Sequence, residues 1–269
     1  MSTPLVIRRT VARLSERGLE SVEDAVAVER ALEIRINDQP LSVTLRTPGH
    51  DAELGLGFLA SEGLLTRRSD VARLSEVAAS CSDEPDRLDI TLAPHVSIDW
   101  TRFERHFAAT AACGLCGRAH LDSLRAGLRP LAAGEPLAAG ALAGLPSRLR
   151  ERQAAFAATG GLHAAAYCDM RLEPQVLRED VGRHNAVDKV AGWLLEQGRH
   201  PADTGVLWVS GRAGAEIVLK AARARIPVLA AVGAPSSLAI ELAESAAMTL
   251  VGFLREGRMN VYSGRERLR

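Results

Sequence analysis

The sequence predicts an α/β protein: a layered C-terminal domain behind a smaller α+β unit. Three observations carry this. From residue 147 onward, short apolar runs alternate with helical stretches, the pattern of strand–helix repeats around a largely parallel sheet. Upstream, two runs of alternating apolar and polar residues flank a turn. Between them lies a Gly/Ala-rich stretch without clear periodicity. The division expected is 1–110 for the small unit, 111–145 for a connector, and 146–269 for the α/β domain.

The elements follow in order. Leu32, Ile34 and Ile36 alternate with polar residues, as do Leu41, Val43 and Leu45, and "NDQP" supplies the turn between two strands. In "TPGHDAELGLGFLASEGLL", Leu54, Phe58 and Leu59 share a helical face and Gly63 stops the helix. Residues 71–79 and 87–93 read as a second strand pair across "CSDEPD". "DWTRFERHFAATAA" has helical spacing, and "AAGEPLAAGALAGLP" reads as a loop with a short helix. "SRLRERQAAFAAT" is one helix capped by Ser147, and "MRLEPQVLRE" is largely a strand. Val187, Val190, Ala191 and Leu194 line one face of the next helix, which Gly198 ends. Strands at "TGVLWVS" and "IPVLAAVG" precede helices at "AGAEIVLKAARAR" and "APSSLAIELAESAA"; "MTLVGFLR" and "RMNVYSG" are the last two strands.

Bulk properties narrow the function classes. The 269 residues are 47% hydrophobic and 25% charged, so a packed core is expected. Net charge is zero, which gives no electrostatic footprint for nucleic acid. The N-terminus has no apolar run of signal-peptide length, and no stretch reaches the ~20 apolar residues of a membrane helix. A cytoplasmic protein with reduced thiols, not engaged with a membrane, is the expectation.

Chemistry concentrates in a few stretches. Cys113 and Cys116 in "AACGLCGRAH" are two of only four cysteines. Such a pair suits a reactive thiol, half a metal site or a disulfide. The flanking glycines leave room for a substrate or another protein's sulfur. His163 or His184 is available to complete a zinc site. A zinc deaminase needs His-x-Glu followed by Pro-Cys-x-x-Cys. The nearest analogue, "LHAAAYC", has Ala165 at the acid/base position, so hydrolytic deamination is not expected.

Gly160 and Gly161, before His163, permit left-handed backbone and exposed N–H groups. "REDVGRHNAVDKV" places Asp180, Arg183, His184 and Asn185 where a strand hands over to a helix, with Asp188 and Lys189 one turn on. Ligands of α/β folds bind at such handovers. Ser210, Gly211 and Arg212 repeat that geometry, and "VGAPSS" repeats it again. Arg255 and Arg258 flank a glycine turn between two strands. If these turns open on one edge, the ligand is large and anionic, more like a nucleotide than a small acid.

These stretches together resemble the formate dehydrogenase accessory sulfurtransferases, the FdhD family. The resemblance runs through "LRTPGHDAELGLGFLASEGLL", "CGLCG", "TGGLHAAA", "REDVGRHNAVDKVAGWLL", "SGRAGAEIVLKAARARIPVLAAVGAPSSLAIELAE" and "TLVGFLREGRMNVYSG". It implies a cytidine-deaminase-like α/β/α domain and a homodimer. It implies a carrier that takes sulfane sulfur from a cysteine desulfurase and holds it as a persulfide. The recipient is the molybdenum (or tungsten) bis-pyranopterin guanine dinucleotide cofactor of formate dehydrogenase, bound as a substrate, with no resident metal. Matched by position, the resemblance implies Cys113 as the best candidate for the persulfide and Cys116 as its helper or a second acceptor. Phe253, Leu254, Arg255, Glu256, Gly257 and Arg258 match the cofactor-contacting stretch. Gly160, Gly161, His163, Arg183, His184, Asn185, Ser210 and Arg212 are the further candidates for the cofactor. A thiol–disulfide oxidoreductase and a non-catalytic cofactor chaperone are the competing readings.

Overall fold

Burial sorts the strands: Arg30–Ile36 and Asp86–Leu92 alternate, with one dry face, whereas Val206–Val209 and Val228–Ala231 are buried on both faces. A computed structural model describes residues 4–81, 83–100 and 128–269. At the N-terminus β1 (Val6–Ser15) and β2 (Gly18–Ala27) form a separate antiparallel ribbon. The sequence pattern predicts no strand over these residues. Next come β3 (Arg30–Ile36) and β4 (Gln39–Arg46), joined by Asn37 and Asp38, both left-handed. Two positive φ values at a two-residue loop match the right-handed twist of a hairpin. The helix α1 (Asp51–Ser61) follows and ends before Gly63, at φ +79°. β5 (Val71–Val77) and β6 (Asp86–Leu92) complete a four-stranded sheet in the order β4-β3-β6-β5. Leu32, Ile34, Ile36, Leu88 and Ile90 pack on Leu54, Leu56 and Leu59 of α1.

The C-terminal part begins with short helices α2 (Ala139–Ala143), α3 (Leu145–Arg150) and α4 (Ala154–Thr159). The single helix expected over 147–159 is thus two, and Ser147 lies inside α3 rather than at a cap. The cause is tertiary: the Glu179 carboxylate accepts the N–H groups of Ala155 and Phe156 (3.1 and 2.7 Å), starting a new helix there. Then follow β7 (His163–Cys168), β8 (Pro174–Asp180), α5 (Arg183–Glu196), β9 (Val206–Val209), α6 (Ala215–Arg223), β10 (Val228–Ala231), α7 (Ser237–Ser245), β11 (Thr249–Arg255) and β12 (Arg258–Ser263).

These strands make a six-stranded sheet in the order β12-β11-β10-β9-β7-β8. Only β9, β10 and β11 pair in parallel; β7 is antiparallel to both its neighbours, and β12 is antiparallel to β11. The sheet is therefore mixed rather than largely parallel. Ala165, Tyr167, Leu207, Val209, Leu229 and Leu250 face one side, against Val187, Val190, Ile217, Val218 and Leu242 of α5, α6 and α7. Ala164, Ala166, Val206, Trp208, Val228 and Val251 face the other, against Leu142, Leu145 and Leu149 of α2 and α3. The result is three layers, helix–sheet–helix, with α1 and its sheet docked outside α5.

The docking is close because it is built on glycine. A Cβ placed on Gly57 of α1 would stand 1.7 Å from the Asp188 carbonyl oxygen, and one on Gly192 of α5 would stand 1.8 Å from that of Glu53. Polar pairs join the two units around this crossing. Arg178 donates to both Glu53 oxygens (2.5 and 2.6 Å), and Ser61 Oγ donates to Asp188 (2.8 Å).

Candidate functional site

The parallel strands β9 and β10 end in loops that continue the pairing of the sheet. Gly233 N–H donates to the Gly211 carbonyl (2.8 Å), Ala213 N–H to that of Ala234 (3.1 Å), and Ser236 N–H to that of Ala213 (3.2 Å). Phe253 N–H donates to the Gly233 carbonyl (3.1 Å), which brings β11 alongside. Glycine is required at 233, where a Cβ would meet the Arg212 backbone at 2.8 Å. The strand-to-helix turns after β9 and β10 and the β11–β12 hairpin therefore converge on one edge.

At this edge lies a cleft of about 550 Å³, between α3–α4 and the strand ends. Pro146, Phe156, Trp208, Val232 and Leu254 give it apolar walls; Arg150, Arg255, Gln153, His163, Ser210, Gly160 and Gly161 give it polar ones. Arg150 lies over the Phe156 ring at 4.9 Å. Gly160 is left-handed at φ +66°, as the C-cap of α4. Ser210 Oγ accepts the Ala164 N–H (2.9 Å), which fixes the β7 and β9 ends together. Phe253 sits in a β-bulge at φ +51°, and the bulge turns Phe253 outward and Leu254 into the cleft. Arg255 Nη1 donates to the Val232 and Leu254 carbonyls (2.6 and 3.0 Å), holding its guanidinium at the rim. Glu256, Gly257 and Arg258 lie in the exposed turn beyond.

His163 marks the boundary between this cleft and a charged cluster at the N-termini of α5 and α6. Burial, with Arg183 and Arg212 nearby, pulls its imidazole below the usual value. His184 Nε2 is 3.0 Å from Glu216 Oε2. Burial outweighs that carboxylate and lowers the His184 pKa to about 4, so the ring is neutral at physiological pH. Arg212 is exposed on the loop after β9. The cluster and the cleft together offer cations, neutral imidazoles and an aromatic wall. That set suits an anionic ligand with a planar ring.

Several polar residues of the β8–α5 handover hold the fold instead. Asn185 Nδ2 donates to the Leu45 carbonyl and to Asp180 Oδ1 (2.8 and 3.0 Å), so Asn185 clamps β4 to the turn rather than lining the cleft. Asp180, fully buried, pairs with Lys189 Nζ (2.8 Å), and Asp188 pairs with Lys220 Nζ (2.7 Å). Cys113 and Cys116 lie outside the described residues, as do the boundary at 110/111 and most of the helical stretch expected before it. Among the described residues no group of three or more His, Cys, Asp or Glu is placed to hold a metal ion. Sequence reasoning missed Arg150, Gln153, Phe156 and Trp208. The break between α3 and α4 that presents the first three carries no Gly or Pro to announce it.

The fold and site together define a layered α/β domain with a cation-rimmed, aromatic-walled cleft at its strand ends. The chain belongs to the FdhD/NarQ family, whose model matches residues 27–269. It is 51% identical to the sulfur carrier protein FdhD of Nocardia farcinica, over 100% of this chain and 97% of that one. Its identity to the protein of the same name from Streptomyces coelicolor is 46%, over 97% and 95% of the two chains. A crystal structure from Desulfotalea psychrophila, described as a formate dehydrogenase accessory protein, superposes with a TM-score of 0.77 at 26% identity. That match covers 99% of this chain and 100% of the other.

Proposed function

We propose that this protein is a sulfur carrier that loads sulfane sulfur from a cysteine desulfurase onto Cys113 and passes it to a molybdenum bis-pyranopterin guanine dinucleotide cofactor destined for formate dehydrogenase. The cleft of about 550 Å³ at the strand ends is the observation that carries the cofactor half of this reading. Its volume lies within the usual range for small-molecule sites, roughly 300–1,000 Å³. The whole cofactor is larger, so one guanosine or pterin end enters and the rest extends along the rim. Phe156 and Trp208 supply the wall for a planar ring, while Arg150, Arg255 and the Gly160–Gly161 backbone face its phosphates. Arg183 and Arg212 extend the cationic edge.

Loading is thiol exchange. The Cys113 thiolate attacks the outer sulfur of the desulfurase persulfide; the donor's S–S bond breaks, a new one forms, and the donor cysteine leaves as thiolate. On delivery the Cys113 sulfur keeps the S–S electron pair, so the transferred atom arrives as sulfane sulfur and the metal supplies two electrons. The protein acts as a homodimer in the cytoplasm.

The test is to incubate the purified protein with a cysteine desulfurase and cysteine, then measure cyanolysable sulfur. One sulfur per chain is expected, and none in Cys113→Ala. Persistence of loading in that variant overturns the carrier assignment. Failure of the cofactor, GDP and GMP all to bind would sink the cofactor half alone.

A further inference from the structure

A buried polar atom without a partner costs stability, so folded proteins pair nearly all of theirs. Trp208 breaks this rule at the wall of the cleft. It stands on β9, 2% exposed, in the apolar layer shared with Leu145 and Leu149 of α3. Its side chain lines the cleft, and its Nε1–H is buried with no acceptor among the described residues. An indole nitrogen can only donate. A Phe or Leu side chain would fill the same strand position and leave no donor unmet.

Two further groups of the cleft have hydrogen-bonding capacity to spare. Ser210 lies two residues beyond Trp208, on the same side of the sheet. Its backbone N–H donates to the Ala164 carbonyl and its Oγ accepts the Ala164 N–H, both at 2.9 Å. The Ser210 hydroxyl proton is left as a second donor beside Trp208. Gln153, 4% exposed, precedes α4 on the opposite wall. Its Nε2 donates to the Leu149 carbonyl (3.2 Å). A carbonyl can only accept, so this bond fixes which way the amide points. Gln153 Oε1 is left as an acceptor that no described residue serves.

The cleft thus offers two donors from the end of β9 and one acceptor from the break between α3 and α4. A planar ring that satisfies both carries a carbonyl oxygen, whose two lone pairs take the donors, next to a ring N–H or amino group that serves the acceptor. Guanine has this edge in O6, N1–H and the 2-amino group. A pterin has the same 2-amino-oxo-pyrimidine edge. Adenine puts an amino group where the oxygen would be and sets donor against donor. We propose that Trp208 and Gln153 are specificity-determining residues that select a 2-amino-oxo-pyrimidine edge. Trp208 Nε1–H donates to the oxo group, and Gln153 Oε1 accepts from the ring N–H or the amino group. The inference rests on the cofactor-binding reading above and names the ring atoms that the chain recognises. Ser210 contributes as well, but it also clamps β7 to β9, so its substitution would not separate the two roles.

Selectivity of the full chain tests this, by isothermal titration calorimetry with GMP, AMP and neopterin. GMP is expected to bind at least about ten-fold more tightly than AMP, which carries the same ribose and phosphate. Trp208→Phe keeps an aromatic wall and removes the donor. It should weaken GMP about ten-fold and leave AMP unchanged, so that the preference collapses. Gln153→Leu should shrink the same ratio from the other wall, and circular dichroism shows that each variant is folded. Neopterin separates the two sources of the edge: binding that Trp208→Phe weakens puts a pterin in the cleft, and binding of GMP alone puts the guanosine there. Either result supports the selection. A wild type that binds GMP and AMP equally overturns it and leaves the cofactor reading standing. Variants that weaken GMP and AMP alike, or leave GMP unchanged, reduce Trp208 and Gln153 to plain walls and overturn it too. Failure of GMP and neopterin both to bind also overturns it; the cofactor reading falls with it only if the cofactor and GDP fail as well.

Discussion

Cys168 is fully buried on β7, and burial pushes its pKa up to about 12. It is a small apolar side chain here rather than a nucleophile. Native protein treated with a maleimide is expected to react at Cys81, which is exposed, and to spare Cys168. Cys168→Ala should keep its full cyanolysable sulfur; loss of that sulfur would contradict the role given to Cys113. The sequence offered no means of ranking these two cysteines, because both are isolated and burial is a tertiary property. His184 makes the opposite point. Its place at a strand-to-helix handover was legible, but its neutrality was not, since that depends on Glu216 and on packing. With a folded pKa of about 4 against the ordinary 6.5 of a free imidazole, the unfolded chain takes up the proton first. The stability tied to a neutral His184 is thus complete above about pH 6.5 and is lost as pH falls toward 4. Urea titrations near pH 7.5 and near pH 5 should show a smaller acid-side loss in His184→Asn than in the wild type. Equal losses would mean that the ring is not depressed.

At the scale of elements, the α1–α5 crossing is set by two glycines that no helix-propensity argument would favour. The helical face of "ELGLGFL" was readable, but the reason for its glycines lies in a partner helix more than a hundred residues away. Gly57→Ala or Gly192→Ala must push backbone from backbone and should cost about 2–3 kcal/mol or more in urea unfolding. Gly140→Ala, in α2 with open space around it, should be neutral or stabilising by up to about 1 kcal/mol. A neutral Gly57→Ala would show that the helices sit farther apart. Two other elements escaped the sequence for related reasons. The β7 segment "HAAAYC" is buried on both faces, so its alanines show no alternation. The β1–β2 ribbon does alternate, but its arginines and acids interrupt the apolar positions and mask the period.

Across the whole molecule, the two sheets were legible as separate units, while the polar joints between them were read as candidate site residues. "REDVGRHNAVDKV" stands at a strand-to-helix handover where α/β folds bind ligands, yet Asp180, Asn185, Asp188 and Lys189 face structural partners. Burial cannot be seen in sequence, and a buried ion pair looks like a solvated charge run. Asp180 is the centre of the joint. Its carboxylate accepts the backbone N–H groups of Thr47 (3.2 Å) and Gly182 (2.8 Å) and pairs with Lys189, whose Nζ also donates to the Thr47 carbonyl (2.8 Å). The strand that leads into α1 and the turn that presents Arg183 and His184 are thereby tied to one group. Trp100 packs with the four-stranded sheet and Trp208 lies in the six-stranded one, so tryptophan fluorescence reports both units. Fluorescence and far-UV circular dichroism should therefore melt together in the wild type, as one cooperative transition. Asp180→Ala strands Lys189 as a buried, uncompensated charge and should cost about 3–5 kcal/mol. Adding Lys189→Met removes that charge and should recover part of the loss, since much of the cost is the orphaned ammonium rather than the missing attraction. Equal stability for the single and double variants would show that Lys189 finds water or another partner when Asp180 is gone. In that case the joint is held by the glycine crossing and the Arg178–Glu53 pair instead.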